Sequence, residues 1–278
     1  MNGYEQRFPN LTRPILIEQP LMEPSADVTD AFAWDEVACR KMGSGELPPL
    51  VRIWRHPRAL VLGLRDRRLP YAGKAMETLR KEGFSVGVRN SGGAAVPLDS
   101  GVVNISLVLP YVQGARMDFH QEFRLMAQVI ADAVKPWSKE VLAGEIRGSF
   151  CPGEYDLALS GRKFCGIAQR RQLKACVVSA FVLVEGSGEA RGQLAQRFYR
   201  EATGGEAHTD DPGVVPASMA SLQELAGVPS AEAFMDSLRR LLAAEGNAGK
   251  DGAGTFGGVE SSDLDSMRDE LKRRYDHD

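Results

Sequence analysis

The segment spanning residues 89–106 constrains this chain more than any other. It reads Arg-Asn-Ser-Gly-Gly-Ala-Ala-Val-Pro-Leu-Asp-Ser-Gly-Val-Val-Asn-Ile-Ser. Ahead of it, residues 84–88 alternate like a short strand; behind it, residues 102–109 form a β-branched run expected to be a more buried strand. Between the two, Ser91, Gly92, Gly93 and Ala94 have almost no side-chain bulk. Such a patch lets a ligand lie against backbone N–H groups, as glycine-rich loops do around anions. Gly-Gly between strands also serves as a plain turn, so these residues alone leave turn and binding loop both open. Arg89 and Asp99 flank the patch with opposite charges.

The rest of the chain surrounds this segment with alternating strand and helix signals. Strands are expected at 14–18, 50–54 and 59–64, with helices at 27–42 and 73–83. Phe119, Phe123, Met126, Ile130 and Ala133 recur on one helical face, and Pro136 ends that helix. Residues 155–159 and 163–167 read as a hairpin around Ser160-Gly161, followed by a long strand at 175–185. Helices are expected at 193–203, 219–226 and 231–244. The pattern gives one α/β (α+β) domain over 14–244, a mixed sheet with packed helices. Residues 245–262 hold six glycines and read as a flexible linker. In 263–278, Leu264, Met267, Leu271 and Tyr275 sit at helical intervals, so the tail is either a docked helix or a mobile arm.

Composition narrows the function classes. A net charge of −3 gives no reason to expect nucleic acid as a partner. No apolar run approaches the roughly 18 residues of a membrane span, and residues 1–10 lack an apolar signal core. A cytoplasmic location is therefore expected. The four cysteines, Cys39, Cys151, Cys165 and Cys176, show no C-x-x-C spacing, and the histidines are scattered, so neither disulfides nor a metal site is expected. What remains is buried structural cysteine or one catalytic thiol. Cys151 stands out because it lies in a Ser-Phe-Cys-Pro-Gly loop just ahead of the hairpin that carries Lys163. Cys176, within a strand, reads as core, whereas Cys165 is a possible pocket residue.

Two motif blocks carry a family resemblance. Arg89, Ser91, Gly92, Gly93, Asp99, Gly101, Asn104 and Ser106 fall in the order of the signature of the biotin/lipoate–protein ligase and octanoyltransferase superfamily, and the chain resembles that superfamily. Trp54 and Gly63 match a further segment of it, although Leu64-Arg65-Asp66-Arg67 departs from the ligase continuation. Asp156, Gly161, Lys163 and Gly166 are similar to its Asp-(hydrophobic)-x-x-x-Gly-x-Lys-(hydrophobic)-x-Gly hairpin. Ala94 stands where the ligases carry a third glycine, and Leu98 where they carry a histidine. With Cys151 ahead of the hairpin, the likeness runs to the cysteine-dependent octanoyl-[glycine cleavage H protein]:protein N-octanoyltransferase group.

That resemblance implies a biotin/lipoate–protein ligase-like fold and an acyltransferase that uses no cofactor or metal. The implied donor is octanoylated glycine cleavage H protein, and the implied acceptors are lipoyl domains of 2-oxoacid dehydrogenase complexes. Cys151 and Lys163 are the candidate catalytic residues. Arg89, Ser91, Gly92, Gly93, Ala94, Asp99, Asn104 and Gly166 are the candidate substrate-binding residues. Chemically, a covalent acyl-enzyme splits transfer between two inert lysine amides into two easier steps. A free thiol, with pKa ~8.5, is only a few per cent ionised near neutrality, and a nearby cation favours the thiolate. The Lys163 ammonium is expected to supply that charge, and N–H groups of residues 91–94 to hold the acyl oxygen. The alternatives are an ATP- and Mg²⁺-dependent ligase, a transferase fed by acyl carrier protein, and a non-enzymatic module that binds acyl-lysine carriers through an inert Cys151.

Overall fold

The structure, a computed structural model, describes residues 11, 14–111, 120–245 and 258–276. The first half contains β1 (Ile15–Glu18), α1 (Thr29–Ser44), β2 (Leu50–Trp54), β3 (Arg58–Leu62), α2 (Ala72–Lys81), β4 (Ser85–Val88), β5 (Val96–Asp99) and β6 (Val102–Pro110). Then come α3 (Gln121–Val134), β7 (Leu142–Ala143), β8 (Leu157–Leu159), β9 (Arg162–Arg171), β10 (Ala175–Leu183) and α4 (Gly188–Ala202). The last helices are α5 (Leu222–Ala226), α6 (Ala231–Glu245) and α7 (Ser261–Tyr275), and 3-10 turns lie at Asp66–Arg68 and Pro216–Ser218. Phe119 and most of the expected linker fall outside the described residues.

A seven-stranded sheet has the order β1-β2-β6-β10-β9-β8-β7, and a three-stranded sheet the order β4-β3-β5. Both are mixed: β1–β2 and β3–β4 pair in parallel, the other pairs antiparallel. β6 lies between β2 and β10, and its β-branched residues are buried along the strand. Such a strand tolerates apolar side chains on both faces. Each face therefore serves a separate core. On one side Leu50, Trp54, Val108, Val177 and Phe181 pack with α1, α2 and the small sheet. On the other, Val51, Ile53, Ile105, Leu107 and Ala180 pack with α3 and α6. Cys165 belongs to this second core, as does its neighbour Phe164, because a register shift at β8 breaks the alternation of β9. It is not a pocket residue.

Local chemistry sets the boundaries of the elements. Gly45, at φ 84°, ends α1 in the left-handed conformation, with its N–H returned to the Met42 carbonyl. Ser160 (φ 50°) and Gly161 (φ 75°) form the two-residue turn between β8 and β9, the positive-φ pair that such hairpins need. α7 lies on α1, burying Met267 and Leu271, and is tied down by Lys41–Asp263, Arg268–Asp30, Lys272–Asp27 and Arg80–Asp276. The small sheet and α1 enclose one edge of the first core, and the segment 89–95 enters the site from there.

Candidate active site

Cys151 sits in the loop between β7 and β8 and is itself left-handed, at φ 49°. A non-glycine residue in that region costs ~1–2 kcal/mol, so the surrounding contacts must hold it there. Its sulfur is nearly buried, the residue being 8% exposed. Two donors point at the Sγ: Arg89 Nη2 at 3.0 Å and the Ala94 backbone N–H at 3.3 Å. Both come from the glycine-rich segment. Arg89 Nη2 also donates to the Ala94 carbonyl at 2.7 Å, so one guanidinium fixes the loop and the thiol together. The sulfur therefore stands as a hydrogen-bond acceptor between a fixed cation and a backbone N–H.

Gly93 explains why this segment carries glycine. A Cβ built there would lie 2.2 Å from Arg89 Nη2 and 2.7 Å from Cys151 Sγ, and its φ is 106°. Gly63 is equally constrained, since its Cβ would meet the Gly93 carbonyl at 1.9 Å. Gly92, by contrast, faces open space and is exposed, and Ser91 is buried beside it.

Lys163 is fully buried, and its ammonium is directed at the backbone of the cysteine loop. Nζ donates to the carbonyls of Phe150 at 3.0 Å and Cys151 at 2.6 Å, and pairs with Asp156 Oδ2 at 2.8 Å. Asp156 Oδ2 also accepts from the Gly153 N–H at 3.0 Å, which closes the loop on itself. Burial pushes the Asp156 carboxyl up to about 6, although Lys163 and the Gly153 N–H pull it down. The cation bonded to sulfur is thus Arg89, while Lys163 clamps the two peptides that carry the cysteine. This division is not legible in the residues, because spacing along a chain does not say whether a lysine reaches a side chain or a carbonyl.

An apolar cleft opens from the sulfur between α1 and the large sheet. Phe32, Trp54, Val61, Leu98, Ala168 and Phe181 line it, with Asn104, Ser106 and Ser179 as polar points. Counted out to solvent, the gap is about 440 Å³, but its free cavity volume is only about 30 Å³. That is room for a water or two, so an acyl chain fits only if lining side chains move. Gly166 keeps the wall thin, since its Cβ would meet Phe181 Cε1 at 2.6 Å. The Ser106 hydroxyl donates to Asp35 at 2.7 Å, and Asp35 pairs with the buried Arg52. Among the described residues, no three His, Cys, Asp or Glu side chains converge as metal ligands.

Of the candidate residues, Cys151, Arg89, Gly93 and Ala94 meet at the sulfur, and Asn104 and Gly166 line the cleft. Asp99 lies elsewhere: at the β5–β6 turn it receives two bonds from Arg191, at 2.8 and 2.6 Å, and one from the Gly101 N–H. Phe32, Val61 and Phe181 gave no sequence signal as lining residues, because an apolar position on a helix or strand looks the same whether it faces core or cleft.

Known proteins resemble this chain over most of its length. The family model described as the lipoyl protein ligase A/B catalytic domain matches residues 27–243. An octanoyl-[GcvH]:protein N-octanoyltransferase of Geobacillus kaustophilus is 44% identical over 76% of this chain and 75% of its own. A lipoyl-[GcvH]:protein N-lipoyltransferase of Listeria monocytogenes is 37% identical over 75% of each chain. Among solved structures, lipoate-protein ligase A bound with ATP superimposes with a TM-score of 0.68 at 20% identity, covering 96% of each chain. The Thermoplasma acidophilum protein Ta0514 with bound lipoic acid gives 0.66 at 19% identity, covering 96% of this chain and 97% of its own. These two share the fold. With the family model spanning most of the chain and relatives well above 30% identity, the chain belongs to the lipoyl protein ligase A/B catalytic domain family.

Proposed function

We propose that this protein is a cysteine-dependent amidotransferase of lipoate assembly. It moves an octanoyl group from the lysine of glycine cleavage H protein to lysines on lipoyl domains of 2-oxoacid dehydrogenases. One observation carries the reading: the Cys151 sulfur lies against Gly93, with the Arg89 guanidinium and the Ala94 N–H both directed at it. Among the four cysteines, Cys151 alone has a left-handed backbone. The relatives named octanoyltransferases support the same activity.

In the first step the sulfur attacks the carbonyl carbon of octanoyl-lysine. The C–N bond breaks, the thiol proton ends on the departing lysine amine, and a thioester remains on Cys151. Negative charge that begins on sulfur and passes to the carbonyl oxygen stays beside Arg89 and the Ala94 N–H, which need no reorganisation. The octanoyl chain occupies the apolar cleft. In the second step the amine of the acceptor lysine attacks the thioester, loses a proton and restores the thiol. Lys163 acts throughout by holding the peptides that carry Cys151. The substrate-binding roles assigned to Ser91, Gly92, Asn104 and Gly166 belong to this same proposal.

Mixing the protein with octanoylated H protein should add one octanoyl mass to the intact chain, and hydroxylamine should remove it. A Cys151→Ser variant that transfers octanoyl at the wild-type rate would defeat the reading.

A further inference from the structure

The peptides around Ala94 are held from behind the site as well as from the front. The Ala95 N–H donates to the Tyr199 hydroxyl at 2.9 Å, and that hydroxyl donates to Asp66 Oδ1 at 2.8 Å. Asp66 Oδ2 accepts the Gly63 N–H at 2.7 Å, and Gly63 is the residue packed against the Gly93 carbonyl. Tyr199 is 1% exposed and Asp66 fully buried. The peptide joining Ala94 to Ala95 is thus gripped at both ends, its carbonyl by Arg89 and its N–H by Tyr199. The preceding peptide carries the N–H that faces Cys151.

We propose that Tyr199 and Asp66 are positioning residues that fix the direction of the Ala94 N–H at the reacting sulfur. The inference rests on the acyl-enzyme reading above. Tyr199 comes from α4 and Asp66 from the 3-10 turn after β3, and neither touches the cleft or the sulfur through a hydrogen bond. Their chemistry suits a fixed relay. Burial pushes the Tyr199 phenol well above its usual range, so it remains an O–H donor toward Asp66. Burial also pushes Asp66 up to about 6; the Gly63 N–H, the Tyr199 hydroxyl and Arg89 pull it back, and Asp210 opposes them. Without the hydroxyl, the Ala95 N–H is left buried with no acceptor, and its peptide is held by Arg89 alone.

The test compares Tyr199→Phe, Asp66→Asn and Asp66→Ala with the full-length wild type. Single-turnover acylation of Cys151 by octanoylated H protein should slow on the order of 10²-fold in Tyr199→Phe, the size expected of a misplaced reacting group. The apparent KM for the carrier should stay within about threefold. Asp66→Asn keeps an acceptor for the hydroxyl and should fall between wild type and Asp66→Ala. Leu238→Val, in the other core, supplies a mildly destabilised control that should acylate normally. Hydrogen exchange at Ala94 and Ala95 should rise in Tyr199→Phe, a readout independent of activity. Acylation of Tyr199→Phe within about threefold of wild type, or unchanged exchange at these amides, would overturn the proposal. A wild-type protein that never forms the thioester would overturn the enzymatic reading instead, and the exchange data would then decide the pairing.

Discussion

Replacing Gly93 by alanine tests the site at its tightest point. The new methyl would stand 2.2 Å from Arg89 Nη2 and 2.7 Å from Cys151 Sγ, at a φ of 106°. The guanidinium cannot simply swing away, because the same nitrogen also donates to the Ala94 carbonyl at 2.7 Å. Loss of one hydrogen bond to a charged group costs ~1.5–3 kcal/mol, which corresponds to ~10–150-fold in the acylation rate. The backbone conformation adds ~1–3 kcal/mol of strain, taken from stability. Rapid-quench mass spectrometry of the acyl-enzyme measures the rate, and thermal melting measures the stability. Gly43→Ala is the control, since its Cβ would meet nothing closer than 3.4 Å. If Gly93→Ala acylates within about threefold of wild type, the sulfur is not seated where the geometry has it.

Further outcomes follow from the same contacts. Cys151→Ser should abolish transfer, whereas Cys176→Ser, buried in the core across the sheet, should transfer normally and show only a lower melting temperature. Lys163→Met leaves Asp156 buried without its partner and should lower stability by ~3–5 kcal/mol, measured by denaturant unfolding. Acylation should slow as pH falls through about 6, where Asp156 takes up a proton and its grip on Lys163 weakens. The stability change runs the other way: with its folded value raised above 3.8, Asp156 contributes stability that is full below 3.8 and is lost as pH rises through about 6. A pH–rate profile that keeps this acid limb in Asp156→Asn would remove the assignment. Leu271→Ala should destabilise by ~2–5 kcal/mol, as α7 peels from α1, without slowing acylation.

The elements that organise the site were legible where local chemistry dictates them. The strand expected at 50–54 is β2, and the left-handed turn at Ser160-Gly161 lies where the residues put it. β5 was missed because Pro97 argues against a strand; it is accommodated at the edge of the small sheet, opposite Leu60. α4 starts at Gly188, earlier than expected, because Gly188 and Gly192 lower helix propensity. Both are glycine for tertiary reasons, since their Cβ atoms would meet Ala220 at 2.3 Å and Pro216 at 2.6 Å. β9 runs on to Arg171, past the expected 167, since Gln169, Arg170 and Arg171 are half-buried polar residues that break the apolar alternation. In the site, Arg89, Gly93 and Cys151 were visible as motif residues, but not the Arg89–Cys151 contact. Tyr199 was invisible, because its partner Asp66 lies 133 residues away and nothing local marks either one.

On the proposed function, octanoyl passes from one lysine amide to another through Cys151 with no external energy source. The transfer breaks one amide and makes another, so it should run near balance and be reversible. The direct measurement gives the full-length protein octanoylated H protein and an apo lipoyl domain in EDTA, without ATP, and follows both carriers by intact mass. A parallel tube holds free octanoate, ATP, Mg²⁺ and the same apo domain. The proposed transfer should give octanoylated lipoyl domain in the first tube, with a final distribution set by the ratio of the carriers, and none in the second. Product confined to the second tube would contradict it and make the protein a ligase.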